Sequence, residues 1–331
     1  MQSGLVRTTT PSYHESGGLP KLTWHLTVTG SSSGIGKGLA QQIAAHPTHR
    51  LVATARNSSR LTEFLVPSER VQILDLDVTS DNAIDAAVDA ALSKFGRIDV
   101  MVNNAGYGLM GDTESALQPE GQAKARKQVE TNLWGTTRLS LHAVRVFRDE
   151  NLKSGQQGGV VLNVTSLGGF AGFPGTAFYH AAKFGVEGFT ESLSKEVRPK
   201  WNIHFCLIEP GGTSTNFASS SSLDWFEPHP AYAAADSPAR ILEGYVKDPA
   251  MKKTWTPAER VANAMYQVVV LAKTKSLPIR LPLTEGAWSI VKNEVAAVDK
   301  ELEEVKALSL SVEIDDANKA GQFLMDNYKS R

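Results

Sequence analysis

The feature that most narrows the fold is a glycine-rich loop, TGSSSGIG, at Thr29–Gly36. An apolar run, WHLTVT (Trp24–Thr29), precedes it. GIGKGLAQQIAAH follows, with Ile35, Leu39 and Ile43 at helical spacing and Pro47 beyond the end. The order is strand, tight turn, helix. Glycines 30, 34 and 36 let the backbone turn sharply and approach a bound group. The helix start then presents its amide hydrogens and the positive end of its dipole, which suits a pyrophosphate.

The alternation continues along the chain. Strands are expected at Arg50–Arg56, Val71–Val78, Ile98–Gly106, Gly158–Ser166 and Ile203–Gly211, with a last short one at Leu277–Pro282. Helices are expected at NAIDAAVDAALSKFG, in one long piece from about Gln122 to Asn151, around Tyr179, and over 257–273. The strands are apolar almost throughout rather than alternating, as a sheet covered on both faces requires. Short strand–helix connections imply right-handed crossovers. The fold class is therefore α/β: a Rossmann-type doubly wound parallel sheet of about seven strands with helices on both faces. Residues 1–20 read as a flexible leader and 21–331 as a single domain. Within it, 212–253 is too long and too rich in Ser, Ala, Pro and aromatics for a plain connection, and reads as a substrate-binding segment. Residues 285–331 read as a C-terminal helical extension, one amphipathic helix and a shorter one.

Composition removes several function classes. The net charge is −1 with no dense basic run, so no nucleic-acid partner is expected. No apolar run reaches membrane-spanning length, and the N-terminus lacks the apolar core of a secretory signal. The single cysteine, Cys206 in IHFCLIEP, forms no intrachain disulfide and reads as a small core residue. No zinc-type spacing is present, and a cytoplasmic location is expected.

The end of the second strand carries the cofactor signal. Adenosine riboses are read there, by a carboxylate for a free 2′-hydroxyl or an arginine for a 2′-phosphate. ATARNSSR supplies Arg56, with no acid until Glu63. A guanidinium matches a phosphate, so NADP(H) is expected over NAD(H).

Tyr179 and Lys183, in AFYHAAKFGVEG, stand at i and i+4 on one helical face. A buried ammonium there is expected to lower the phenol pKa towards neutrality and make it a proton donor or acceptor. Ser166 ends the strand VVLNVTS at the carboxyl edge, where open α/β sheets bind ligands. His204 and Glu209 read as structural, and His180 as a pocket-lining or surface side chain.

Taken together, TGSSSGIG, NNAG (Asn103–Gly106), Asn132 in VETNLWG, Ser166, the Tyr179–Lys183 pair and EPGGTST (Glu209–Thr215) resemble the short-chain dehydrogenase/reductase family. The resemblance runs from about Trp24 to Thr215. It implies a catalytic set of Asn132, Ser166, Tyr179 and Lys183, with Asn132 distorting its helix and holding a relay water. It implies cofactor contacts from Gly30, Ser32, Ser33, Gly34, Ile35 and Gly36 at the pyrophosphate. Asp77 and Val78 would meet the adenine, and Asn104, Ala105 and Gly106 would line the site. Tyr179, Lys183, Pro210, Gly211, Thr213 and Thr215 would hold the nicotinamide end. The arginine and the tail look most like the hydroxysteroid and retinol dehydrogenase branch. The implied activity is NADPH-dependent reduction of a hydrophobic ketone or aldehyde, or the reverse alcohol oxidation. Trp225, Phe226, Tyr232 and Trp255 offer flat apolar area for the substrate. Other readings stay open: a dehydration on the same fold, a non-catalytic NADP-sensing protein, or a scaffold acting through the charged tail. Family likeness also implies a homodimer or homotetramer through the helices at 122–151 and 176–199.

Overall fold

The computed structural model describes residues 23–215, 222–272, 275–312 and 317–327; the expected leader lies outside them. Seven strands form one parallel sheet: β1 (His25–Val28), β2 (Arg50–Ala55), β3 (Val71–Asp75), β4 (Val100–Asn103), β5 (Gly159–Val164), β6 (Ile203–Pro210) and β7 (Arg280–Leu283). Their order is β7-β6-β5-β4-β1-β2-β3, so chain direction across the sheet reverses between β1 and β4. Among the described residues the helices are α1 (Gly34–Ala45), α2 (Asp81–Phe95), α3 (Pro119–Val129), α4 (Thr136–Arg145), α5 (Ala177–Glu196), α6 (Pro238–Lys247), α7 (Pro249–Lys252), α8 (Ala258–Leu271), α9 (Glu285–Leu310) and α10 (Ala317–Asn327).

The two-sided burial expected from the apolar strands is observed residue by residue. Leu51 and Ala53 of β2 join α1 and α8 on one face, while Val52 between them joins α2 and α4 on the other. Val160, Val161 and Leu162 of β5 alternate in the same way. Burial of each such side chain stabilises the fold by about 1.5–3 kcal/mol. Helix α2 is closed at both ends. Ser80 accepts from the Ala83 amide, and Gly96, at φ 76°, returns its own amide to Leu92.

The sheet's centre is tied by a buried polar network. Asn103 Nδ2 of β4 donates to Asn163 Oδ1 of β5 (2.8 Å) and to Ser140 Oγ of α4 (3.1 Å). Asn163 Nδ2 then donates to Thr190 Oγ1 of α5 (2.8 Å). Two strands and two helices are fixed to one another by groups whose loss would strand buried partners.

Two expectations are corrected. The helix expected as one piece from Gln122 to Asn151 starts at Pro119 and is opened by wide π-type turns at Glu130–Gly135 and Val146–Glu150. Hydroxyls bond back to carbonyls in the preceding turn here, Thr136 to Asn132 and Thr137 to Leu133, which opens a helix that periodicity reads as regular. Several strands stop earlier than the apolar runs: β3 ends at Asp75 rather than Val78, and β4 at Asn103 rather than Gly106. The segment 212–253, expected to be more than a plain connection, has structure of its own. It holds α6 and α7, and two short strands pair with it: Leu223–Trp225 with Gly108–Met110, and Thr213–Ser214 with Thr256–Pro257.

Of α9 only Ala287 is buried. No described helix is long and apolar enough to cross a membrane.

Replacing Asn163 with alanine leaves Asn103 and Thr190 without their shared partner. It should cost about 2 kcal/mol and lower the melting temperature by roughly 5 °C, read by circular dichroism or calorimetry.

Candidate active site

A cleft of about 780 Å³ opens at the carboxyl edge of the sheet, across the point where the strand order reverses. Its floor is the loop from β1 to α1. Gly30 and Gly34 sit at φ 65° and 55°. A Cβ at Gly30 would stand 2.8 Å from Ala105 Cα, and one at Gly36 would collide with Asn104 and the Gly30 carbonyl. Ser32, Ser33, Gly34 and Ile35 line the cleft; Gly36 does not, and packs beneath the loop instead. Helix α1 starts with no side-chain cap on its amides and no acid in its first turn. A close-approach backbone and an acid-free helix start fit a diphosphate.

The loop is braced from β4. Thr29 Oγ1 accepts the amides of Asn104 (3.0 Å) and Ala105 (3.1 Å), and Asn104 Nδ2 donates to the carbonyls of Thr29 and Gly30. Asn104, Ala105 and Gly106 do line the cleft, with Asp77 and Val78 beyond them. Asp77 Oδ1 accepts from the Thr79 amide (2.9 Å) and hydroxyl (2.7 Å), which fixes this turn. Arg56 reaches the cleft from the end of β2, and Arg60 and Lys127, which the sequence reading missed, join it. Arg60 stands one short turn beyond Arg56, a spacing that could have flagged it.

Pro210, Gly211, Thr213 and Thr215 form the opposite rim. Thr215 packs on Gly34, where a Cβ would lie 3.0 Å away, so the two rims touch. Gly211 donates its amide to Leu283 of β7 (3.0 Å).

Ser166, Tyr179 and Lys183 converge at the ends of β5 and α5. The Tyr179 phenol is hydrogen-bonded to the Ser166 side chain. Ser166 Oγ also accepts the Gly168 amide (3.0 Å), which leaves its own hydrogen to donate. Lys183 Nζ donates to the Val164 carbonyl (2.8 Å) and lies 5.7 Å from the Tyr179 ring centroid. The expectation that Lys183 lowers the phenol pKa is corrected. Burial pushes Tyr179 up to about 12, with the Ser166 hydrogen bond acting the other way. Lys183 itself is pushed down to about 8 by burial, against the Coulombic pull of Glu187. At neutral pH the phenol keeps its proton.

Asn132 is buried in the wide turn after α3 and does not line the cleft. Its amide is spent on the backbone of Tyr107: Oδ1 accepts the amide (3.0 Å) and Nδ2 donates to the carbonyl (2.8 Å). It thus fixes the chain leaving Gly106.

Of the two alternatives expected for His180, the structure gives the pocket-lining one: it is buried and lines the cleft. Nδ1 donates to the Gly168 carbonyl (2.7 Å), while Nε2 accepts the Phe173 amide (3.0 Å). The ring is held neutral by burial and clamps the turn that carries Ser166. Its signal was present: Gly168 leaves space for the ring, and a Cβ there would be 2.6 Å from it. Of the four aromatics expected at the substrate, only Trp255 lines the cleft, joined by Tyr245, whose hydroxyl accepts the Trp255 indole hydrogen (3.2 Å). Phe226 is buried against Phe178 instead, and Tyr232 donates to Glu114 (2.9 Å).

Residues 25–224 match the short chain dehydrogenase family model. The chain belongs to that family. It is 42% identical over 290 residues to oxidoreductase calM of Penicillium decumbens, covering 87% of this chain and 91% of the relative. It is 34% identical over 201 residues to 3-ketodihydrosphingosine reductase of Bacteroides thetaiotaomicron, covering 60% and 67%. A crystal structure of a short-chain dehydrogenase from Streptomyces avermitilis superposes with a TM-score of 0.74 at 27% identity, over 88% of this chain and all of that one. This is an oxidoreductase of the family that binds a nicotinamide cofactor and acts on a small-molecule substrate.

Replacing His180 with alanine frees the Gly168 carbonyl and loosens Ser166. Turnover should fall by about 10- to 100-fold, while dinucleotide Kd from fluorescence titration stays within about threefold.

Proposed function

We propose that this chain is an NADPH-dependent carbonyl reductase acting on hydrophobic ketones or aldehydes, with Asn132, Ser166, Tyr179 and Lys183 as its working set. One observation carries the reading: a buried phenol, hydrogen-bonded to a serine, in a cleft that Arg56 and Arg60 also line. A reduction needs a proton donor, and a buried phenol retains its proton until charge develops on a neighbouring oxygen.

Bound NADPH would supply the hydride. Ser166 donates a hydrogen bond to the substrate oxygen and supports its growing negative charge. Tyr179 passes its phenolic proton to that oxygen. Lys183, positive below about pH 8, stabilises the negative charge left on the phenol as its proton leaves. Asn132 holds Gly106 and Tyr107 in place along the cleft wall. Arg56 and Arg60, with no carboxylate at the end of β2, favour the 2′-phosphate.

The cleft wall beyond Tyr179 supports an apolar substrate. Met110 and Phe173 come from the body, Leu242, Tyr245 and Val246 from α6, and Ile290 from α9. Helix α6 is held in place by Arg240, which pairs with buried Asp112 (2.6 Å) and Glu243 (2.7 Å). The name of the Bacteroides relative specifies a 3-keto substrate, which supports a ketone here. Exposed Trp134, Leu141 and Phe184 support pairing of two copies through the helices around 122–151 and 176–199.

The test is a carbonyl panel followed by loss of NADPH absorbance and repeated with NADH. Tyr179→Phe should lose at least about 10³-fold in kcat while keeping its NADPH Kd. The reduction rate should fall as pH rises through about 8, where Lys183 gives up its proton. Arg56→Glu should raise the NADPH KM by about 100-fold and spare NADH. Full turnover in the phenylalanine variant would remove Tyr179 from its role, and equal use of NADH by the parent would remove the cofactor choice.

A further inference from the structure

Behind the reacting centre lies a group of charged side chains that the reduction does not use. Glu187 stands one helical turn after Lys183 on α5 and is 4% exposed; Glu209 of β6 is 0% exposed. Both carboxyl groups lie against the same Nε of Arg280. Two buried carboxylate anions crowded on one cation repel each other, so one of them carries a proton.

The surroundings agree. Arg280 of β7 is the cation beside the pair, with Nε 3.1 Å from Glu187 Oε2 and 3.9 Å from Glu209 Oε1. Its Nη2 is committed to Glu191 (2.8 Å), which also holds Lys195. Among the described residues, the other groups facing the pair add no positive charge besides Lys183. They are the Thr165 hydroxyl on β5, the Cys206 thiol on β6, pushed up to about 12 by burial, and the backbone of Gly169. Burial pushes both carboxyl groups up, and the closer approach of Arg280 Nε to Glu187 than to Glu209 leaves the charge on Glu187 and the proton on Glu209. Glu187 also lies against the turn that carries Ser166, for a Cβ on Gly169 would be 2.9 Å from its Oε1.

We propose that Glu187 and Glu209 form a charge-setting pair for Lys183: the proton resides on Glu209, and the single negative charge left on Glu187 keeps the lysine an ammonium ion in a site where burial opposes that state. The pair touches neither substrate nor cofactor. It acts through Lys183 and is a positioning element, and its catalytic consequence rests on the reductase reading above. A neutral side chain at 209 copies the protonated acid, whereas a neutral side chain at 187 removes the charge that matters. The two positions therefore respond differently to the same isosteric change.

The experiment is a pH titration of Lys183 by NMR of lysine labelled with carbon-13 at Cε, the signal assigned with Lys183→Arg, in full-length protein without substrate. Glu187→Gln should lower the proton affinity of Lys183 by about tenfold. Glu187→Asp should restore most of it. Glu209→Gln should leave it within about twofold of the parent, and the alkaline limb of kcat/KM should move in the same order. Thermal melts check that each variant folds. A parental titration in Glu187→Gln, or an equal fall in Glu209→Gln, would overturn the proposal. If the titrations follow the expected order but no carbonyl is reduced, the reductase reading fails and the pair stands.

Discussion

The site depends on one buried contact set, the Asn103–Asn163 hydrogen bond with its partners Ser140 and Thr190. Each of its four members sits on an element that ends in, or carries, a residue of the cleft. Asn103 is followed by Asn104–Gly106, Asn163 by Ser166, and Thr190 shares α5 with Tyr179 and Lys183. Ser140 shares a continuous helical stretch with Glu130 and Thr131, which line the cleft. Parallel strands alone leave the relative height of covering helices loosely set, because apolar packing is non-directional. Directional bonds inside the sheet remove that freedom, and at neutral polar groups they do so without burying a charge.

The fold was largely legible because both-face burial leaves a plain mark, continuous apolar strands between helices, and the loop at Thr29–Gly36 fixed where the first crossover begins. The strands were read too long at their carboxyl ends for a physical reason. Val78, Ala105 and Gly106 remain apolar or small after the ladder has ended, because they still pack or line the cleft. Pattern cannot distinguish a residue that is buried in a sheet from one that is buried beside a ligand. The overrun is thus itself a marker of the site.

Elsewhere the sequence carried less. YxxxK announced a phenol and an ammonium, but not which effect would dominate at the phenol; that depends on depth, and burial outweighs the Ser166 hydrogen bond. His180 looked incidental because its partners, Gly168 and Phe173, are backbone groups with no side-chain signature. The expectation of four substrate aromatics failed at three: Trp225 lies in a short strand paired with Gly108–Met110, Phe226 just after it packs on Phe178, and Tyr232 bonds to Glu114. Trp255 was kept by its contact with Gly212, where no side chain intervenes.

The wide turn at Glu130–Gly135 has a consequence for how such chains diverge. A π-type turn contains one residue more than the regular ladder around it, so the faces before and after it are rotated by about 100°. What this stretch encodes is a count as much as a set of letters. Loss of one residue there would let the ladder close and swing Asn132 away from Tyr107, while every flanking side chain kept its identity. In an alignment of relatives, a single gap at this point carries more weight than many substitutions along the same helix.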